Sequence, residues 1–215
     1  SELSIQVTIG EILISLDRTE EAYEHLKKYN YCGINNSLIG SMLANGENPK
    51  EALPYLSDSF LNNIVQLFRC CVSFANVYCK QNDYKMAYDV INMMYEFFKH
   101  LKKDGQVSYI DKLQVISLAI MAGIHAEIRQ FKEAEKCLEK AYELAVRFDA
   151  SPDYNVQNIK FYNGQKLIFS DDSGVTAMES VESIISPQDV NSDFLKKIWS
   201  NIMAKNKQIS KGESV

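Results

Sequence analysis

The chain has 215 residues, of which 46% are hydrophobic and 24% are charged, and its formal net charge is −5 at neutral pH. This length and hydrophobic content suit one or two domains with an extensive core. An acidic surface repels the phosphate backbone on average, so the charge argues against direct contact with nucleic acid. The longest uncharged run, 113–126, is shorter than the roughly 20 residues that a membrane span needs, and we expect none.

Four pairs of helices are predicted over residues 1–148. The pairs span about 5–29, 37–57, 59–103 and 109–148. Clusters of turn residues separate their helices, most clearly Asn-Gly-Glu-Asn at 45–48 and Gln-Asn-Asp at 81–83. In the first pair, Asp17 is the expected cap of the second helix.

A repeated spacing connects these pairs. In each pair a small residue is followed after three residues by a larger one, after twelve by alanine, and after sixteen by a large apolar residue. The four copies are Gly10, Leu13, Ala22, Leu26; Gly40, Leu43, Ala52, Leu56; Ala75, Tyr78, Ala87, Ile91; and Ala122, His125, Ala134, Leu138. Small side chains let two helix axes approach closely, which predicts an antiparallel pair that crosses at these positions.

The alanines of the motif recur at steps of 30, 35 and 47 residues, which bracket the period of about 34 typical of tetratricopeptide repeats. Stacked pairs of this kind share one core and curve around a concave face. The sequence therefore predicts an all-α, tetratricopeptide-like right-handed superhelix of antiparallel helix pairs with a C-terminal capping region.

Beyond residue 148 the composition changes. Residues 149–206 are predicted to form a helical cap, with helices near 174–185 and 191–205. Because the terminal layer of a stack must cover an apolar face, we expect Trp199 to anchor this cap. The polar residues 207–215 are predicted to be a disordered tail.

The sequence offers no recognisable chemistry for catalysis. His25, His100 and His125 lack a second histidine or cysteine at metal-ligand spacing, and phosphate-binding and serine-hydrolase motifs are absent. We therefore predict no enzyme activity, no metal site and no cofactor. An enzyme whose reactive groups meet only in the fold is the least supported alternative.

The cysteines indicate a reducing compartment. Their number is odd and no Cys-x-x-Cys pair occurs, so reduced thiols that act as small core hydrophobes are expected, in a cytoplasmic protein. The glycosylation sequence at Asn35 matters only if the protein is secreted.

A polar stripe on the first helix of the third pair is the candidate binding surface. It comprises Asn62, Gln66, Arg69, Ser73, Asn76 and Lys80. Ser41, Asn45 and Glu127 occupy corresponding positions in the neighbouring pairs, and Ala119 and Gly123 make the last wall smoother. Carboxamides can bind the backbone of an extended peptide, and Arg69 or Lys80 can take a carboxylate. The predicted partner is a short peptide or protein segment, although any exposed helix face can be polar.

The helical pairs resemble tetratricopeptide repeats, most clearly at Ala75, Tyr78, Tyr84, Ala87 and Ile91. Together with the sequence Phe-Asp-Ala-Ser-Pro-Asp at 148–153, they make the chain similar to the carboxy-terminal repeat region of Xre-type helix-turn-helix regulators of Gram-positive bacteria. Cys71 and Leu118 stand where the repeat usually has tryptophan.

Relatives of that class include receptors for peptide pheromones. The resemblance implies the sensing and oligomerisation part of a transcriptional regulator, a homodimer, and a peptide bound on the concave face. No DNA-reading helix is visible and the chain begins at Ser1, so we expect the DNA-binding domain to lie outside this sequence. The alternative is a protein-interaction scaffold with no signalling ligand.

Overall fold

The computed structural model describes residues 2–160, 162, 168–169, 171, 173–186 and 191–212, with the backbone alone for residue 3 and residues 207–212. The helices of this part are α1 Glu2–Ser15, α2 Thr19–Lys28, α3 Asn36–Ala44, α4 Ala52–Lys80, α5 Tyr84–Leu101, α6 Tyr109–Glu127, α7 Phe131–Ala150, α8 Ala177–Ile185 and α9 Ser192–Gly212. Its only β-type pairings are two isolated bridges, Lys102 with Ile159 and Asn155 with Ile168. The all-α prediction is confirmed.

None of the helices in the described ranges combines the length and the apolar character that crossing a bilayer demands.

The small residues of the motif lie where the two helices of a pair cross. A methyl group built on Gly10 would lie 2.2 Å from Cδ2 of Leu26, and one built on Gly40 would lie 2.7 Å from Cδ2 of Leu56. The motif alanines are fully buried or nearly so, at 1% exposure or less. Close approach of the axes therefore requires the small side chain at these crossings.

Three of the pairs turn through the same backbone geometry. Asp17, Asn82 and Arg129 adopt left-handed conformations, with φ of 58°, 60° and 59°. The residue after each donates its N–H to the carbonyl five positions earlier, for example Asp83 N to Tyr78 O at 2.9 Å. This is a Schellman-type helix end. Asp17 thus ends α1, and its expected role as a side-chain cap of α2 is wrong, since Arg18 holds that position.

The predicted break between the second and third pairs is also wrong. The structure has one continuous helix, α4, from Ala52 to Lys80. Ser57 and Asp58 lie at the predicted break, and both are of residue types whose side chains often cap helices. Instead, the carboxylate of Asp58 accepts a hydrogen bond from the amide of Asn36 on α3, and neither residue forbids helical torsion angles.

The chain divides into two compact units within α4. The first unit contains the described residues up to Leu67 together with Tyr162, and the second contains the other described residues from Phe68 onward. The predicted boundary between repeats and cap at residue 148 lies inside the second unit. The predicted tail 207–215 overlaps α9, which runs to Gly212, while 213–215 lie outside the described residues.

In the second unit, α6 is central: it packs against α5, α7, α8 and α9. Its first turn carries two buried charged side chains. Asp111, fully buried, pairs with Lys102 and with Arg147 Nη2, the latter at 2.8 Å. Lys112, 1% exposed, donates to Asp171 Oδ2 at 2.6 Å and to Ser173 Oγ at 3.1 Å. The bonds of Lys112 hold Asp171 and Ser173 against α6, shortly before α8 begins.

The α8–α9 segment covers α6 and α7. Asp149 accepts hydrogen bonds from the N–H groups of Ala177 (2.8 Å) and Met178 (3.0 Å) at the start of α8, a favourable place for a negative charge. Trp199 of α9 is 2% exposed, and its ring packs edge-on against Tyr142 of α7 with the ring centres 5.8 Å apart.

All five cysteines are free, and Cys71 is buried, but Cys32 and Cys70 are exposed and so are not core residues. The side chain of Asn35 is fully buried, and its amide donates to the carbonyls of Leu26 and Tyr29. This acceptor position is therefore inaccessible to glycosylation in the folded chain.

We expect the same substitution to have opposite effects at two glycines. Gly10→Ala places a methyl group against the fully buried Leu26, and we expect a loss of about 1 kcal/mol because overpacking outweighs the gain in helix propensity. Gly123→Ala meets no atom within 4 Å and should gain about 1 kcal/mol. Urea unfolding followed by circular dichroism measures both, and equal changes would contradict the crossing geometry.

Removal of Lys112 should destabilise the second unit. Burial alone would raise the pKa of Asp171, but hydrogen bonds from Lys112 and Ser173 outweigh it and hold the pKa below its ordinary value. A lowered carboxylate pKa stabilises the fold above the ordinary value of about 4, and this stabilisation is lost as the pH falls through the folded pKa. Lys112→Met should therefore cost about 3 kcal/mol at neutral pH.

The free energies of unfolding of wild type and of the Lys112→Met variant should converge below about pH 4. The double variant Lys112→Met with Asp171→Asn removes both charges and should recover part of the loss. A pH-independent difference would show that the pair does not titrate as described.

Candidate functional site

A cleft of about 560 Å³ lies within the second unit, between the end of α4, the middle of α6 and the α8–α9 segment. Its lining residues are Asn76, Cys79, Lys80, Tyr84, Ala119, Ile120, Gly123, Ile124, Glu127, Ile184, Ile185, Asn191, Ser192 and Leu195. We refer to it as the α6 cleft. Its volume is in the range of pockets that bind small ligands or peptide side chains.

The floor of the α6 cleft is apolar and owes its depth to two small residues. Ala119 and Gly123 are four residues apart on α6, so they lie on one face of the helix. A methyl group built on Gly123 would have no heavy atom within 4 Å. Ile120 and Ile124 flank them. A larger residue at either small position would occupy the space that forms the cleft.

The rim on the α4 side is polar. Asn76 and Lys80 are exposed and four residues apart on α4, and Tyr84 follows at the start of α5. Within the described residues, Lys80 has no carboxylate at ion-pair distance. The rim thus offers an ammonium group and a carboxamide above an apolar floor.

The opposite wall comes from the C-terminal segment. Asn191 donates from Nδ2 to Glu127 Oε1 at 3.2 Å, which links the start of α9 to the end of α6. Ile184, Ile185 and Leu195 supply apolar surface next to this bond. Burial, and then the negative charge of Glu127, raise the pKa of the Cys79 thiol, so Cys79 stays a neutral thiol at neutral pH.

The structure groups the predicted binding residues into three sets. Asn76, Lys80 and Glu127 line the α6 cleft. Arg69 and Ser73 border a separate shallow depression on α4, where the Ser73 hydroxyl donates to the Arg69 carbonyl at 3.0 Å.

Asn62, Gln66, Ser41 and Asn45 belong to the first unit. All four are exposed, and Asn45 Nδ2 donates to Ser41 O at 2.9 Å. Ligand binding by all nine predicted residues, inside and outside the cleft, stays a prediction.

Sequence reasoning missed the wall supplied by Ile184, Ile185, Asn191, Ser192 and Leu195. These residues lie about 60 positions from Glu127 in the chain, and no repeat spacing relates them to α6. The small pair Ala119 and Gly123 was a usable signal for the floor, since two small residues four apart on a long apolar helix leave room above it.

No group of three histidine, cysteine or carboxylate residues in the described parts of the chain could hold a metal ion. His125, predicted to be a packing residue, lies with its ring centre 5.0 Å from that of Tyr88. Its Nδ1 is 2.8 Å from Gln130 Oε1, so the imidazole is already engaged in structural contacts.

Comparison with known proteins supports the fold class. A tetratricopeptide-repeat family model matches residues 117–145, which contain the end of α6, most of α7 and the floor of the α6 cleft. The comparisons with curated proteins and with solved structures gave no match. The tetratricopeptide-like prediction is confirmed, and repeats of this kind generally mediate protein–protein interactions and are typically non-enzymatic.

Proposed function

We propose that this chain is a non-enzymatic peptide-binding domain whose α6 cleft holds a short segment of a peptide or protein. One observation carries the proposal: an apolar floor made by Ala119 and Gly123 lines the same cleft as the ammonium group of Lys80, which has no ion-pair partner among the described residues. A groove that joins apolar and charged groups suits a peptide, which presents both kinds of group on one chain.

The lining specifies the chemistry of the bound segment. A bulky apolar side chain fits above Gly123, between Ile124 of α6 and Ile184 of α8. An acidic side chain or terminal carboxylate then lies within reach of Lys80, where a charge-assisted hydrogen bond is favourable. The carboxamide of Asn76 can accept from and donate to the peptide backbone.

The domain serves, in this proposal, as the sensing and oligomerisation part of a cytoplasmic transcriptional regulator, with the DNA-binding domain outside these residues. Support comes from the resemblance to Xre-type regulators and from the net charge of −5, which disfavours direct contact with nucleic acid by this region. A peptide in the cleft contacts α4, α6 and the α8–α9 segment together. It therefore favours the arrangement of these elements to which it binds most tightly.

A scaffold without a signalling ligand is the second candidate. Exposed apolar side chains on α4 and α5, including Phe74 and Met93, favour it, because a protein partner can cover them without using the cleft. Substitutions inside the cleft should impair peptide binding but should leave binding of a scaffold partner on α4 and α5 unchanged.

The test is selection of short random peptides displayed on phage against the purified chain. Enriched peptides are synthesised and titrated by calorimetry against three variants. We expect Gly123→Leu to abolish binding because it fills the cleft, Asn76→Ala to weaken it, and Lys80→Glu to weaken it at least about 10-fold for peptides that carry a carboxylate.

Matched controls separate the cleft from general effects. Gly123→Ala adds only one methyl group and should retain binding, and Lys132→Glu reverses an exposed charge on α7, outside the cleft, with no expected effect. Failure to enrich any peptide, or equal binding by wild type and Gly123→Leu, would favour the scaffold function over peptide binding in the cleft.

A further inference from the structure

An apolar surface extends over one side of the α4–α5 hairpin. Its residues are Cys70, Phe74 and Val77 on α4 and Met86, Met93 and Phe97 on α5, all of which belong to the second unit. Phe74 is 56% exposed, Val77 50% and Met93 54%. We call this surface the α4–α5 face. Contiguous exposed apolar side chains of this size commonly mark an interaction surface.

The α4–α5 face points away from α6. On α4, Asn76 and Lys80 border the cleft above α6, and Phe74 lies about 160° around the helix from Asn76 at 100° per residue. On α5, Tyr88 contacts His125 of α6, and Met93 and Phe97 lie about 140° and 180° from Tyr88. The two apolar rows therefore share the side of the hairpin opposite to α6.

Comparison with the next helical pair shows what this side of a pair normally does. The motif repeats after 47 residues, from Ala75 to Ala122, so Phe74 corresponds to Met121 and Val77 to Ile124. Met121 and Ile124 are 2% and 3% exposed. Met121 lies one helical turn before His125, on the side of α6 that contacts α5. Phe74 and Val77 thus occupy stacking positions whose counterparts in the following pair are buried.

The α6–α7 side of the second unit is covered. The segment α8–α9 packs against α6 and α7, and the rings of Phe131 and Phe194 meet there with their centres 4.4 Å apart. A contact in which the same face of two copies meets gives a closed two-fold dimer.

We infer that the α4–α5 face is the surface through which two copies of this chain associate. This inference rests on the oligomerisation part of the proposed function and is independent of peptide binding. Half-exposed side chains of this size provide roughly 500 Å² of apolar surface per copy, and the pair buries about 1,000 Å², near the lower limit for a specific interface.

The character of the face supports a second copy as the occupant. None of its six residues is charged, so these side chains meet their copies in a partner chain without like-charge repulsion, and Arg69 lies at the border of the face. The shallow depression bordered by Arg69, Cys70, Ser73, Phe74 and Val77, about 330 Å³ in volume, can receive a side chain from the partner copy.

Sedimentation equilibrium of the whole chain over the micromolar range tests the inference. We expect a monomer–dimer equilibrium for wild type, and an at least 30-fold weaker association (about 2 kcal/mol) for Phe74→Glu and for Met93→Glu, which each place a charge in the interface. Val146→Glu, at a 44% exposed position on α7, is the matched control and should associate like wild type. Circular dichroism checks that each variant is folded.

The outcomes separate the surface from the wider proposal. A wild-type chain that is monomeric at all concentrations overturns both this inference and the oligomerisation role. A dimer that both glutamate variants leave intact overturns the assignment of this face alone. Peptides selected for the α6 cleft should bind the Phe74→Glu variant as tightly as wild type. Peptide titration therefore tests the peptide-binding proposal independently of the association surface.

Discussion

Close crossing of paired helices at small residues is the constraint on which the rest of the structure depends. At Gly10 and Gly40 even a methyl group would collide with the leucine sixteen positions later, and the corresponding Ala75 and Ala122 are buried to 1% exposure or less. Such contacts let the two helix axes of a pair approach closely. Once the two helices of a pair are fixed in this way, polar residues on the remaining faces acquire defined positions, and binding surfaces can form.

The same use of small side chains creates the candidate site. Ala119 and Gly123 lie on α6 at the spacing of one helical turn, but no partner helix fills the space above Gly123. The α8–α9 segment closes the other side of that space. Its position depends on buried charges at the start of α6, particularly Lys112 with Asp171, and on Asp149, which binds the first N–H groups of α8. Buried ion pairs add little net stability, but breaking one is costly, so they specify a single path for the chain.

Helix α4 has two contrasting sides within the second unit. Asn76 and Lys80 border the cleft, whereas Phe74 and Val77 lie on an exposed apolar side. The proposed ligand site and the proposed association surface therefore lie on one helix without overlapping.

Local patterns in the sequence determined the helical class, the paired arrangement and most helix ends, because small-residue spacing and turn residues act over fewer than about 20 positions. They also placed Asn76, Lys80 and Glu127 in register, since all three follow the repeat. The continuity of α4 through Ser57 and Asp58 was decided by tertiary structure, because Asp58 has a partner on α3 that no local rule reveals. Tertiary structure also decided the cleft wall that includes Ile184 and Leu195, and the exposure of Phe74. Burial depends on which distant element packs against a face. Phe74 and Met121 occupy equivalent positions of the repeat, so local sequence alone does not tell which of the two is buried.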